Sequence, residues 1–160
     1  MWLFNHQLLL LMSLLVVSCG FTPVYSPNSS FQNLNNHTQI QIPNDKDSFI
    51  LVEELQTKLG NQGNKYSLTF DLTTKKNDIL TSTIGRALRF NINGTVDFTL
   101  TALKNNKTIY QGQVTNFTSY SATGQTAETR FSEQEAHTRL MRILANQILT
   151  QLYARQELRP

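Results

Sequence analysis

Cys19 is the only cysteine of the 160-residue chain, and it directly follows Val16-Val17-Ser18 at the end of an apolar run that begins at Leu8. A run of that length closing on small residues reads as a secretory signal. It falls short of the roughly 18 apolar residues expected of a spanning helix. A cysteine at that place fits the bacterial lipobox. Its thiol is diacylated, cleavage ahead of it frees its amino group, and a third chain is added there. Each acyl chain contributes about 0.8 kcal/mol per buried methylene and stable anchoring takes about two chains. Three would hold the protein to a membrane surface permanently. Gly20 stands where an aspartate would argue for retention in the inner membrane, which favours the outer membrane.

Anion binding is the second chemistry on offer. Arg86 and Arg89 stand at the opening of a long strand-like run, Lys104 and Lys107 in a turn, and Arg130 just ahead of a helical pattern. Arginine grips phosphate through paired hydrogen bonds, while lysine acts as a point charge. Together, on a periplasm-facing lipoprotein, they make a phosphorylated lipid a candidate ligand. Catalysis finds less support. The mature chain keeps only His37 and His137, with no metal-ligand spacing, and Cys19 is consumed by lipid. Asp71 and Asp78 are the nearest thing to a carboxylate pair, and they read as strand and turn charges in water. No G-x-S-x-G, Gly-rich phosphate loop or Ser-x-x-Lys occurs, and no base is placed to activate a hydroxyl. The expectation is a non-enzymatic protein without cofactor or metal.

Removing residues 1–18 leaves 142, enough for one domain with a sizeable core. The formal charge is +3, and from Arg86 onward nine Lys and Arg face five Asp and Glu. That surplus is too small and scattered for nucleic acid, but it suits an anionic lipid or an acidic surface. With no second cysteine there is neither a disulfide framework nor a zinc site, so apolar burial must hold the fold. Five N-x-S/T triplets, at Asn28, Asn36, Asn93, Asn106 and Asn116, follow from a composition rich in Asn and Thr.

These residues must be positioned by the elements around them. Residues 19–38 are rich in Pro, Asn and Ser and read as the lipidated N-terminus and a linker. Gln39 to Ile42 alternates as a short strand ending at Pro43. Asp45 or Asp47 then caps a helix marked by Leu51, Val52, Leu55 and Leu59 and stopped by Gly60. Tyr66 to Thr73 alternates cleanly. Leu88 to Ala102 keeps one register and predicts a long strand, with a bend at Gly94. Ile109 to Tyr120 returns with poorer alternation, from a bulge or from apolar contact on both faces. Ser121 to Thr129 reads as a loop. Ser132-Glu133-Gln134-Glu135 reads as a capping box with Phe131 stapled onto Ala136, opening a helix to about Ala154. The order β-α-β-β-β-α implies an α+β fold over residues 39–155, followed by a short tail at 156–160. It is a two-layer sandwich of a mostly antiparallel four-stranded sheet with two helices packed on one face. The other sheet face is polar and free to meet something.

The start Cys19-Gly20-Phe21-Thr22-Pro23-Val24-Tyr25 resembles the C-G-F-x-P-L-Y opening of the LPS-assembly lipoprotein (LptE) family, in its alphaproteobacterial form. The resemblance continues through the Leu-rich helix, Tyr66-Ser67-Leu68-Thr69-Phe70, the long strand around Arg89-Phe90, and the last helix with Leu144-Ala145-Asn146-Gln147-Ile148. It implies an outer-membrane lipoprotein on the periplasmic side that plugs the large LptD β-barrel, assists its assembly, and binds lipopolysaccharide in transit. By position, the family's basic residues correspond to Arg86 or Arg89 and to Arg130. Two other classes stay open on the residues alone: a periplasmic lipoprotein that activates a cell-wall enzyme, and a lipid carrier.

Overall fold

The computed structural model describes residues 33–60, 62–81, 87–122 and 126–155. Its elements follow the expected order: β1 (Thr38–Ile40), α1 (Lys46–Leu59), β2 (Tyr66–Thr81), β3 (Ala87–Ala102), β4 (Lys107–Ser121) and α2 (Thr126–Tyr153). The strands form one sheet in the order β1-β2-β3-β4. β1 lies parallel to β2, and the remaining pairs are antiparallel. Both helices cover the same face.

α1 begins where its sequence says it should. Asp45 is the N-cap, accepting from the Ser48 N–H at 2.9 Å, while the Ser48 hydroxyl accepts from the Asp45 N–H at 2.9 Å. Two donors that the first turn cannot satisfy internally are thereby paired. Asp47 is left free for a different task. Gly60 ends the helix at φ 74°, ψ 179°, a conformation reserved essentially for glycine. The core starts earlier than the sequence suggests: Leu34, inside the stretch that reads as linker, is fully buried, and its carbonyl accepts from the Thr38 hydroxyl at 3.0 Å.

β2 corrects one strand-level expectation, and β4 bears another out. β2 does not end at Thr73 but runs to Thr81, because Thr74 to Asp78 still pair with β3 although their inward positions are polar. No bulge interrupts the strand at Gly94. Register passes through it unbroken on both sides, and α2 lies close over it. A Cβ there would stand 2.8 Å from Leu144 Cδ1 and 3.1 Å from Leu140 Cδ2. β4 carries a bulge at Ile109, where Leu100 opposes Tyr110 but Thr101 opposes Thr108. That extra residue accounts for its poor alternation, together with Phe117, which stands exposed on the outer face.

α2 also departs from expectation at its start. It opens at Thr126 rather than at Ser132, with Glu128 in the first turn complementing the helix dipole. Ser132 to Glu135 therefore lie inside the helix, and Phe131 is 72% exposed rather than packed on buried Ala136. α2 runs back along β4: the Ala136 carbonyl accepts from the Thr118 hydroxyl at 2.9 Å, and Gln151 Oε1 accepts from the Tyr110 hydroxyl at 3.0 Å. Leu140, Leu144, Ile148 and Leu152 close the core from above.

Candidate functional site

The basic residues singled out by sequence do not converge on one spot. Arg89 lies near the start of β3, opposite Ser121, and is exposed. The adjacent Phe90 and Tyr120 face the helices, so alternation directs Arg89 to the outer face. Arg130 is exposed on α2 and lines an open cleft of about 320 Å³ with Lys46, Asp47, Glu133, Gln134 and His137. Arg89 and Arg130 thus share one end of the molecule but belong to different layers. Lys104 and Lys107 flank the β3–β4 turn at the other end of β3, about 50 Å away at roughly 3.3 Å per residue. Arg86 and Cys19 lie outside the described residues.

Sequence reasoning missed the strongest charged cluster at the Arg130 end. Lys76 sits at an inward position of β2, where Nζ meets Glu133 Oε1 of α2 at 2.7 Å. It also lies over the Phe90 ring at 4.4 Å and the Tyr120 ring at 5.2 Å. Those rings are stacked with centroids 5.2 Å apart. A cation over an aromatic face gains from the ring quadrupole, so Lys76 covers these two rings on the helix side of the sheet. Burial works against its charge, but the bond to Glu133, with the Tyr120 phenol close by, outweighs it and Lys76 titrates above its usual value. The bond from Lys76 holds the Glu133 carboxyl below the usual carboxylate range, while burial pushes the Tyr120 phenol up. The available signal was parity: Lys76 continues the inward series Tyr66, Leu68, Phe70, Leu72, Thr74.

One turn on, His137 Nδ1 meets Asp47 Oδ2 at 2.8 Å, tying α2 to the first turn of α1. That bond to Asp47 raises the imidazole pKa against the opposing effect of burial. Arg142 Nε adds a second helix–helix tie, donating to Glu54 Oε1 at 3.1 Å.

The outer sheet face is built in rows of polar side chains across β2, β3 and β4. Thr73, Thr95 and Thr115 form one row, and Asn77, Asn91 and Ser119 another. Gln113 Nε2 donates to Asp97 Oδ1 at 2.7 Å, and the Thr95 and Thr115 hydroxyls bond at 3.2 Å. Asp71 stands opposite Asp97, beside a shallow depression of about 570 Å³ that also involves Gln41, Thr69 and Gln111. Asp78, at an inward position, is on the other face from Asp71, so these two do not form a carboxylate pair. This surface is suited to hydrogen bonding with a broad partner. Among the described residues no three of His, Cys, Asp or Glu are placed to hold a metal ion, and no helix is long and apolar enough to cross a membrane.

The family described as Lipopolysaccharide-assembly, LptE, matches residues 36–152. The chain belongs to the LptE family. Solved structures share the LptE-like fold. A putative lipoprotein from Caulobacter crescentus CB15 superposes with a TM-score of 0.65 at 19% identity, over 78% of this chain and 92% of that one. A minor lipoprotein from Acinetobacter baumannii gives 0.58 at 22% identity, over 74% and 91%. A lipoprotein B from Nitrosomonas europaea gives 0.60 at 15%, over 84% and 91%. Among curated proteins, no sequence matches. The LptE match thus spans every element from β1 to the last turn of α2, including both helix–helix ties and both rows of the polar face described above.

Proposed function

We propose that this LptE-family protein, of alphaproteobacterial type, is a non-enzymatic lipoprotein anchored through Cys19 to the periplasmic side of the outer membrane. There it plugs and helps assemble the LptD β-barrel and takes part in moving lipopolysaccharide to the cell surface. The carrying observation is the division of the sheet into two faces. Both helices bury one face, and the other presents ordered rows of Thr, Asn, Gln and Asp along strands of 15 or 16 residues. The lumen of a large barrel is polar and water-filled, and a surface of hydrogen-bonding side chains is compatible with it where an apolar one is not. Arg86, Arg89 and Arg130 are the proposed contacts for lipopolysaccharide phosphates, two of them at the end where Lys76 and Glu133 already hold charge.

The test is co-purification from membranes of cells carrying the affinity-tagged full chain. Recovery of a large outer-membrane β-barrel, and loss of that barrel when the protein is depleted, are the expected results. Recovery of a peptidoglycan synthase without any barrel would sink the proposal in favour of a cell-wall activator.

A further inference from the structure

The two edges of the sheet are treated differently. At β4, outward carbonyls are covered by α2: Gln113 accepts from Gln151 Nε2 at 3.2 Å and Ser119 from Arg139 Nη2 at 3.4 Å. At β2, β1 covers only Tyr66 to Leu68. Gln41 extends that cover a little, its N–H donating to the Leu68 carbonyl at 3.0 Å and its Oε1 accepting from the Phe70 N–H at 3.0 Å. These bonds fix the direction of the β2 backbone. Its even-numbered residues turn their peptide groups to the edge, and register with β3 is unbroken as far as Asp78. Leu72 and Thr74 therefore offer N–H and C=O outward, and among the described residues nothing bonds them.

Native sheets blunt an open edge with proline, a bulge, a very short strand or lysine. Asp71 to Asp78 contains no proline and no bulge. Of its two lysines, Lys76 is turned inward onto Glu133. Lys75 stays on the outer face with Asp71, opposite in charge and two positions along that face. The helix side of the same edge carries exposed apolar groups. Ile42 is 82% exposed directly after Gln41 leaves the sheet. Phe49 is 59% exposed. At about 100° per residue, it projects from the side of α1 away from Asp47 and Glu54, which meet α2.

We propose that this edge takes one extended strand of a partner protein by antiparallel β-pairing, read as acid, apolar, polar, apolar, base. The acid lies opposite Lys75 and the base opposite Asp71. The two apolar residues, opposite Thr74 and Leu72, turn to the helix side beside Ile42 and Phe49. Backbone bonds supply affinity and the alternating side chains supply direction. The proposal goes beyond the barrel reading and stands without it.

The probe is a fluorescein-labelled peptide containing Glu-Val-Thr-Val-Lys, titrated against the full chain in detergent by anisotropy. Saturable binding is expected, with the reversed order Lys-Val-Thr-Val-Glu roughly tenfold weaker. Thr74→Pro should weaken binding roughly tenfold, since it removes an outward N–H while leaving the bonds to β3 in place. Asp71→Lys with Lys75→Asp changes only exposed side chains and should invert the peptide preference. Absence of saturable binding overturns the proposal, as does binding that neither the proline nor the charge exchange alters. Barrel co-purification reads out separately, so either result can fail alone.

Discussion

The pairing of His137 with Asp47 joins residues 90 positions apart and gives the two helices a contact whose strength depends on protonation. The groups around it pull both ways, with Glu133 favouring the imidazolium and Lys46 opposing it, while Asp47 dominates. Because the folded pKa is raised above its ordinary 6.5, the stabilisation is fully present below that value and is lost as pH climbs through the folded pKa. Replacing His137 by Asn keeps a hydrogen-bonding group but abolishes the charge. The unfolding free energies of the two proteins, by urea titration, should differ on the order of 1 kcal/mol near pH 5.5 and converge toward pH 8. A difference that stays constant across that range would show that the charge contributes nothing. His137 was visible in the sequence as one of two remaining histidines. Its partner was not, because Asp47 read as an alternative helix cap and only the three-dimensional packing of α1 on α2 gives it another role.

The best-read elements are those whose ends are written locally. α1 was legible because its cap, its leucine spacing and its terminating glycine all lie within sixteen residues of sequence. The distal half of β2 was not, since its inward positions hold Thr74, Lys76 and Asp78 and no apolar alternation survives there. What keeps that half in the sheet is pairing with β3 and the seat of Lys76 over two rings, both long-range effects. The start of α2 misled for the opposite reason: Ser132 to Glu135 has capping chemistry, yet Thr126 to Phe131 are already helical. Gly60 offers the sharpest test at this scale. A Cβ at that position would stand 2.2 Å from Asn36 Oδ1, on a backbone that L-residues avoid. Gly60→Ala should therefore lower the unfolding free energy by about 1–3 kcal/mol, measured by denaturant titration. A change within about 0.5 kcal/mol would mean that the α1–β2 connection relaxes freely.

For the molecule as a whole, the proposed function assigns different work to different surfaces, and the two assignments separate cleanly in experiment. The rows on the outer sheet face are the proposed contact with the barrel, and the arginine-bearing end is the proposed contact with lipopolysaccharide. Thr115 is exposed at the middle of the outer face and its hydroxyl bonds that of Thr95, so Thr115→Arg places a bulky cation there without touching the core. Arg89 and Arg130 are exposed as well, and their joint replacement by alanine removes charge from the far end. The first variant should lose barrel co-purification while keeping its affinity for lipopolysaccharide. The second should keep the barrel and bind lipopolysaccharide more weakly, with a reduced salt dependence, since each lost cation removes a screened electrostatic contact. Both should retain native melting temperatures, because neither substitution reaches a buried group. If Thr115→Arg leaves co-purification intact, the barrel does not meet the polar rows, and the helix face or the open edge of β2 must carry that contact. If both variants lose both properties together, one surface serves barrel and ligand alike and the separation of faces fails.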